Sequence, residues 1–160
     1  MPTTFTEGDM FADPDLKAFC FGCTTQGKLD AGIAVAFKKR FAGLEDEYQK
    51  RCEDKPISLG DTFLYTSDEG MVFPLALQTH WKSRAKLAAL ERALARAIEL
   101  AGQVGVGRIG VPRIGTGLGG LEWLRVKSVL TKLGATTAIE LVVFEKFVRG
   151  KVVAEPTDLD

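Results

Sequence analysis

The sequence predicts an α/β domain in which helices cover both faces of a mostly parallel sheet, giving three layers in the order α/β/α. Short apolar runs rich in β-prone residues alternate with segments of helical periodicity, and strands separated by helices are typical of a parallel sheet. Two of these runs, residues 16–23 and 138–144, are apolar without alternation, as expected of strands buried on both faces.

The first elements predicted are a strand over residues 16–23 and a helix over residues 31–41. Apolar side chains recur four residues apart along this helix, at Ile33, Phe37 and Phe41. Asp30 stands at the expected N-cap position, and three basic residues fill the last turn, where they complement the helix dipole. Residues 44–51 are predicted to add a second, mostly polar helix.

A hairpin and a long helix are predicted in the middle of the chain. Residues 61–66 and 71–77 form two strands joined by a polar turn that ends in glycine. Ser83 is expected to cap the helix that follows, and Gly102 to end it. Its apolar side chains recur at helical spacing: Leu87, Leu90, Leu94 and Ile98.

The last elements predicted are a strand over residues 108–114, a helix over residues 121–133 and a strand over residues 138–144. No repeat or low-complexity tract interrupts the pattern. We therefore expect one domain over residues 1–149, followed by a polar tail over residues 150–160 that frays.

The charge balance and the cysteines limit the classes of function. With 21 basic and 21 acidic residues, the chain lacks the basic excess expected of a protein that binds nucleic acid tightly and without specificity. No apolar run approaches the roughly 20 residues needed to span a bilayer, and residues 1–9 lack the features of a secretory signal. Cys20, Cys23 and Cys52 cannot all pair, which favours a reducing compartment, and the expected location is the cytoplasm.

The strongest functional signal is the glycine-rich segment at residues 115–120, which lies between a predicted strand and a predicted helix. Glycines let the backbone approach a phosphate, and the helix start supplies free amides. The spacing of Gly115, Gly117 and Gly120, with Glu145 ending the next strand, also matches the dinucleotide-binding pattern. That fold requires further strands downstream, however, and the chain offers only a short tail.

A second polar loop, residues 24–30, also joins a strand to a helix. Two such loops on neighbouring parallel strands face one crevice beyond the strand ends, where open α/β sheets bind ligands. Two helix N-termini could then share one diphosphate.

Together these loops resemble those of a macrodomain, the ADP-ribose-binding module. The resemblance rests on Gly8-Asp9, on the segment from Thr24 through AGIAVAFKKRF, and on PRIGTGLGGLEW from Pro112 to Trp123. It is strongest to the branch that contains the terminal ADP-ribose protein glycohydrolase and the DarG antitoxin. It covers residues 6–144 and implies the three-layer fold.

The resemblance also implies the positions of the ligand contacts. Asp9 would bind the adenine amino group with Met10 beside it, and Phe144 would pack near adenine or serve only the core. Thr24 would face the distal ribose, and Gln26 would be a further ligand contact. The two diphosphate loops would be formed by Gly32, Ile33 and Ala34 in the first and by Gly115, Thr116, Gly117, Leu118 and Gly119 in the second.

Two departures bear on catalysis. Gln78 stands where the glycohydrolase branch has a lysine able to attack the distal ribose, and Gly119 stands where its partner aspartate would be. Hydrolysis would therefore use a positioned water, assisted by Thr24, Gln26, Gln78 or the substrate's phosphate. His80, the only histidine, is a further catalytic candidate, although a loop histidine is more often structural.

The sequence thus leaves three functions open. The leading hypothesis is a hydrolase that removes mono-ADP-ribose from protein Glu/Asp or from thymidine in DNA, with ADP-ribosylated protein or DNA as its substrate. The alternatives are a non-catalytic ADP-ribose reader and an ADP-ribose 1″-phosphate phosphatase. No cofactor or metal is expected, because Cys20 and Cys23 have no second pair of ligands and are better explained as small buried residues.

Overall fold

The computed structural model of the protein describes residues 3–29, 32–80, 82–117 and 119–150. The elements follow the chain in this order: β1 (Thr4–Gly8), β2 (Ala18–Thr24), α1 (Ile33–Arg40), α2 (Leu44–Asp54), β3 (Tyr65–Ser67), β4 (Gly70–Gln78), α3 (Leu87–Gln103), β5 (Arg108–Val111), α4 (Trp123–Ala135) and β6 (Glu140–Phe147).

The six strands form one sheet in the order β1-β6-β5-β2-β4-β3. All neighbours are parallel except β3 and β4, which form the antiparallel hairpin at one edge. The prediction of a mostly parallel sheet is therefore confirmed. In this order β5 lies beside β2, so the segments that follow these two strands leave the same edge of the sheet next to each other.

Two apolar clusters lie on opposite faces of the sheet and give the three layers. Alternate residues of β4 and β6 point to opposite faces, as the two-residue period of a strand requires. Leu75 and Leu141 pack on the face covered by α3 and α4, whereas Val72 and Val142 pack on the face covered by α1 and α2. In the described ranges no helix has the length and apolar composition that crossing a bilayer requires.

Strand β1 was missed by the sequence analysis. Its segment, TFTEG, is short and mostly polar, and its burial is only partial. The strand forms because it pairs in parallel with β6, from Thr4 opposite Val142 to Gly8 opposite Phe147. The Thr4 hydroxyl also donates to a Glu140 carboxylate oxygen at 2.7 Å. This pairing joins segments that are far apart in sequence, so local pattern alone does not indicate it.

Two predicted helix caps are wrong. Helix α3 begins at Leu87 with Lys86 as N-cap, and Ser83 instead donates its hydroxyl to the His80 carbonyl oxygen at 2.7 Å. Helix α1 begins at Ile33 with Gly32 as N-cap, so the cap lies two residues beyond Asp30, which is outside the described residues. Before α3 the loop is longer than the periodicity suggested.

The remaining boundaries differ by a few residues. Strand β3 is confined to Tyr65–Ser67, and the earlier part of the predicted strand contributes one isolated bridge, Thr62 to Leu75. The Asp61 carboxylate accepts a hydrogen bond from the Ser58 amide at 2.8 Å, which shapes this stretch as a loop beside β4. Of the predicted tail only Gly150 is described, and its amide is hydrogen-bonded to Asp9.

Candidate functional site

A cavity of about 750 Å³ lies beyond the carboxyl ends of the parallel strands. This volume is within the range of ordinary ligand pockets, roughly 300–1,000 Å³. All the site residues predicted from sequence line it, apart from Leu118, which is outside the described residues: Asp9, Met10, Thr24, Gln26, Gly32, Ile33, Ala34, Gln78, His80, Gly115, Thr116, Gly117, Gly119 and Phe144. The fold thus brings segments from across the whole sequence to one place.

The 115–120 loop is held by its own backbone and by the segment before α3. The Leu121 amide donates to the Gly115 carbonyl oxygen at 2.9 Å, and the Ala85 amide donates to the Gly119 carbonyl oxygen at 2.9 Å. A Cβ on Gly119 would lie 2.6 Å from the Gly115 carbonyl oxygen, so this position has no room for any side chain. Gly117 differs, because a Cβ there meets no heavy atom within 4 Å. The loop therefore presents Gly117 openly to the cavity.

The first loop leads into the N-terminus of α1 at the cavity wall. Gly32 adopts a φ of 63°, a conformation that L side chains rarely adopt, and no side chain caps the helix. Ile33 is 41% exposed although it is apolar, whereas Ala34 is buried. Free amides at a helix start favour an anion, so this end of α1 can bind a phosphate group.

Asp9, Met10 and Phe144 lie together at the end of the cavity formed by β1 and β6. The Asp9 carboxylate accepts one hydrogen bond from the Phe11 amide at 3.0 Å and another from the Gly150 amide at 3.1 Å. Phe144 is 5% exposed and packs in the apolar core, so it lines the cavity and serves the core at the same time.

The opposite end of the cavity is formed by β2 and β4. Thr24 and Gln78, the last residues of these strands, are register partners. The Gln78 side-chain amide donates to the Ser83 carbonyl oxygen at 2.7 Å, and that of Gln26 donates to the Thr79 carbonyl oxygen at 2.8 Å. The first bond shapes the segment after β4, and the second holds that segment beside the one after β2.

His80 lies at the same end and is exposed. Its Nδ1 accepts a hydrogen bond from the Lys82 amide at 3.1 Å. In the neutral ring the proton is then on Nε2, which can donate to a ligand. Trp81, the neighbouring aromatic residue in the sequence, is outside the described residues.

Several lining residues were not assigned from sequence. Phe147 is 65% exposed and lines the cavity at the end of β6. Arg113 and Glu145 bring opposite charges to the wall formed by β5 and β6. The spacing of Glu145 from the 115–120 loop is the one signal that could have placed it at the ligand.

Glu145 is held in a small network. Its Oε2 accepts from Trp123 Nε1 at 2.8 Å and from Lys127 Nζ at 3.2 Å. The Trp123 hydrogen bond, followed by Lys127, lowers the pKa of this carboxyl. The Arg113 guanidinium lies 5.1 Å from the centre of the Trp123 ring. Glu145 is therefore an ionised group with a fixed position in the cavity wall.

Cys20 and Cys23 are buried, in agreement with their interpretation as small core residues. Burial raises the pKa of each thiol to about 12. Over the described ranges, no group of three or more His, Cys, Asp or Glu side chains is arranged to hold a metal ion. The expectation that no metal is used stays a prediction.

Comparison with known proteins gives consistent matches. A family model described as the macro domain matches residues 22–130. The DNA ADP-ribosyl glycohydrolase of Mycobacterium tuberculosis is 26% identical over 132 residues, which cover 79% of this chain and 37% of that protein. The ADP-ribose glycohydrolase OARD1 of Homo sapiens is 25% identical over 141 residues, which cover 88% of this chain and 90% of that protein.

Solved structures share the fold. Thermosipho africanus DarTG, solved in complex with ADP-ribose, superimposes with a TM-score of 0.81 at 23% identity, and the match covers 99% of this chain and 44% of that chain. The chain thus spans well under half the length of the mycobacterial and Thermosipho proteins it matches.

Proposed function

The chain belongs to the macro domain family, as its two loops predicted, and on that premise we propose that it is an ADP-ribosylhydrolase. Its substrate would be a mono-ADP-ribosyl group on protein Glu/Asp or on thymidine in DNA. The observation that carries the proposal is that both loops, Asp9 and Phe144 line one cavity. Relatives named as ADP-ribosyl glycohydrolases support the same activity.

We assign each part of ADP-ribose to a part of the cavity on the basis of the strand order. Adenine would lie by Asp9 and Phe144, beyond β1 and β6. The diphosphate would lie between the start of α1 and the 115–120 loop, beyond β2 and β5, where backbone amides can solvate it. The distal ribose would then lie by Thr24 and Gln78, at the ends of β2 and β4.

At the distal ribose, water would attack C1″ while the bond from C1″ to the acceptor breaks. An ester leaves as a carboxylate, and the water proton passes to solvent or to the substrate phosphate. A thymine base is a poorer leaving group, and a donor such as Nε2–H of His80 would stabilise the charge that develops on it. The side chains of Thr24, Gln26 and Gln78 would position the water, since none of them is a base.

One observation favours a second function, a reader that binds ADP-ribose without cleaving it. Position 119 has no room for a side chain, so this loop cannot carry the aspartate expected in the glycohydrolase branch. Gln78 stands in the place of the lysine. Its side-chain amide donates a hydrogen bond to the Ser83 carbonyl oxygen, and an amide is not a nucleophile.

Release assays decide between these functions. The protein, in excess, is incubated with Glu-linked, Ser-linked and thymidine-linked ADP-ribose, and free ADP-ribose is measured. We expect release from the Glu-linked or the thymidine-linked substrate. No release from any linkage, together with tight binding of ADP-ribose by calorimetry, would leave the reader; absence of binding would end both proposals.

The compartment is also a proposal. All three cysteines are free, which suits a reducing compartment such as the cytoplasm.

A further inference from the structure

Glu145 is the acidic residue of the cavity wall that the hydrolase proposal leaves without a role. It follows the 115–120 loop at about the distance at which dinucleotide-binding folds place an acid, and that acid accepts a hydrogen bond from the ribose 2′-hydroxyl. The present sheet has a different strand order, so this spacing does not by itself place Glu145 at a ribose. Its position along the cavity is the relevant observation.

The order of the strands locates the adenosine ribose. Neighbouring strands lie about 4.8 Å apart. A ligand that lies across the strand ends would therefore meet the strands in their order in the sheet. If adenine lies beyond β1 and β6 and the diphosphate beyond β5 and β2, the adenosine ribose lies at the ends of β6 and β5. The charged residues lining the cavity at or just beyond these two strand ends are Glu145, Arg113 and Arg149. This step rests on the proposed function.

Among the described residues, one carboxylate oxygen of Glu145 has no hydrogen-bond or ion-pair partner. Both of its described bonds, from Trp123 Nε1 at 2.8 Å and Lys127 Nζ at 3.2 Å, reach Oε2. These bonds fix the side chain, and the lowered pKa keeps it ionised at neutral pH. Oε1 can therefore accept a hydrogen bond from a hydroxyl group without any rearrangement of the network.

We propose that Glu145 determines specificity for an unsubstituted adenosine ribose, by accepting a hydrogen bond from its 2′-hydroxyl and repelling a phosphate at that position. A 2′-phosphate would bring about two negative charges against a fixed carboxylate. The site would then accept ADP-ribose and exclude its 2′-phosphorylated form.

Positively charged side chains surround Glu145. Lys127 pairs with Glu145, Arg113 stacks over Trp123, and Arg149 lines the cavity beyond β6, so several positive charges surround one negative charge. Removing the charge of Glu145 leaves these cations to attract a phosphate. The substitution Glu145→Gln, which retains an oxygen to accept from Trp123 Nε1, should therefore shift the preference toward the phosphorylated ligand.

The test is calorimetric titration of the full chain with ADP-ribose and with 2′-phospho-ADP-ribose. We expect the wild type to bind ADP-ribose at least about tenfold more tightly than 2′-phospho-ADP-ribose. We expect Glu145→Gln to reduce this ratio of affinities by about tenfold. Glu122→Gln is the matched control, because Glu122 is an exposed acid beside the same helix start and does not line the cavity. It should leave the ratio unchanged.

A purely structural role for Glu145 would weaken both ligands together and leave their ratio at the wild-type value. That result, or equal affinity of the wild type for the two ligands, would overturn the inference while the proposed function stands. If the wild type binds neither ligand, the proposed function fails and this inference fails with it.

Discussion

Gly117 offers the most direct test of the diphosphate position, because a side chain can be added there without disturbing the fold. Its φ lies outside the left-handed region, and a Cβ would meet no heavy atom within 4 Å. Replacing it with glutamate should therefore change the free energy of unfolding by less than about 0.5 kcal/mol. Because Gly117 lines the cavity, the new carboxylate would face the bound diphosphate.

The cost to binding follows from Coulomb's law. Two unit charges about 4 Å apart repel by about 4 kcal/mol at the effective dielectric constant of a protein surface, which is close to a thousandfold in affinity. We expect calorimetry to find ADP-ribose binding by Gly117→Glu weakened by at least this factor, and any release of ADP-ribose to be lost with it.

Gly107→Glu is the matched control for this experiment. Gly107 is exposed, has no left-handed φ and no heavy atom within 4 Å of a Cβ, and lies before β5, at the opposite end of that strand from the cavity. This variant should bind as the wild type does. If Gly117→Glu is folded and binds ADP-ribose within about tenfold of the wild type, the diphosphate does not lie against this loop.

Three further predictions use other parts of the molecule. Asp9→Ala should weaken ADP-ribose binding by about 1–3 kcal/mol in calorimetry, and unchanged affinity would remove adenine from this end of the cavity. Gln78→Ala should lower single-turnover release while the ADP-ribose Kd stays within roughly threefold of the wild-type value; intact turnover would exclude Gln78 from the reaction. The buried thiols of Cys20 and Cys23 keep their protons to about pH 12, whereas unfolded thiols lose them near 8.5, so the native state binds more protons in between. The free energy of unfolding from urea titrations should therefore fall between pH 9 and 10, by up to about 1.4 kcal/mol per pH unit for each thiol. Cys23→Ala should make the free energy of unfolding fall less steeply with pH. The same dependence on pH as in the wild type would contradict the raised pKa of the Cys23 thiol.

The sequence predicted the parts of the fold that depend on local pattern. Buried strands such as β2 and β6 are continuous apolar runs, and α3 has strong periodicity, so both kinds of element could be located. Strand β1 could not, because it is stabilised by pairing with β6 and not by its own composition. The same limit applies to Ser83. Its hydroxyl donates a hydrogen bond to the His80 carbonyl oxygen within a loop, and the pattern of apolar residues does not indicate that loop.

The cavity residues were likewise predictable where local pattern indicates them and not where they depend on distant segments. Glycines in the 115–120 loop are informative in sequence, but the different tolerance of Gly117 and Gly119 depends on how the loop folds onto the Gly115 carbonyl oxygen and on Ala85, a neighbour from another segment. Arg113 and Glu145 acquire a position only when β5 and β6 lie side by side. Residue types thus predicted which loops line the cavity, and the sheet order was needed to show how the charges are distributed around it.

The position of β6 has a consequence for how the protein forms during synthesis. Of the six described strands this one is synthesised last, yet it lies between β5 and β1, and β1 pairs with no other strand of the described residues. Until residues 140–147 emerge, the nascent chain therefore has a first strand with nothing to pair with and an open edge on β5. The cavity cannot be completed before that moment, because Phe144 and Asp9 come together only when the strand inserts.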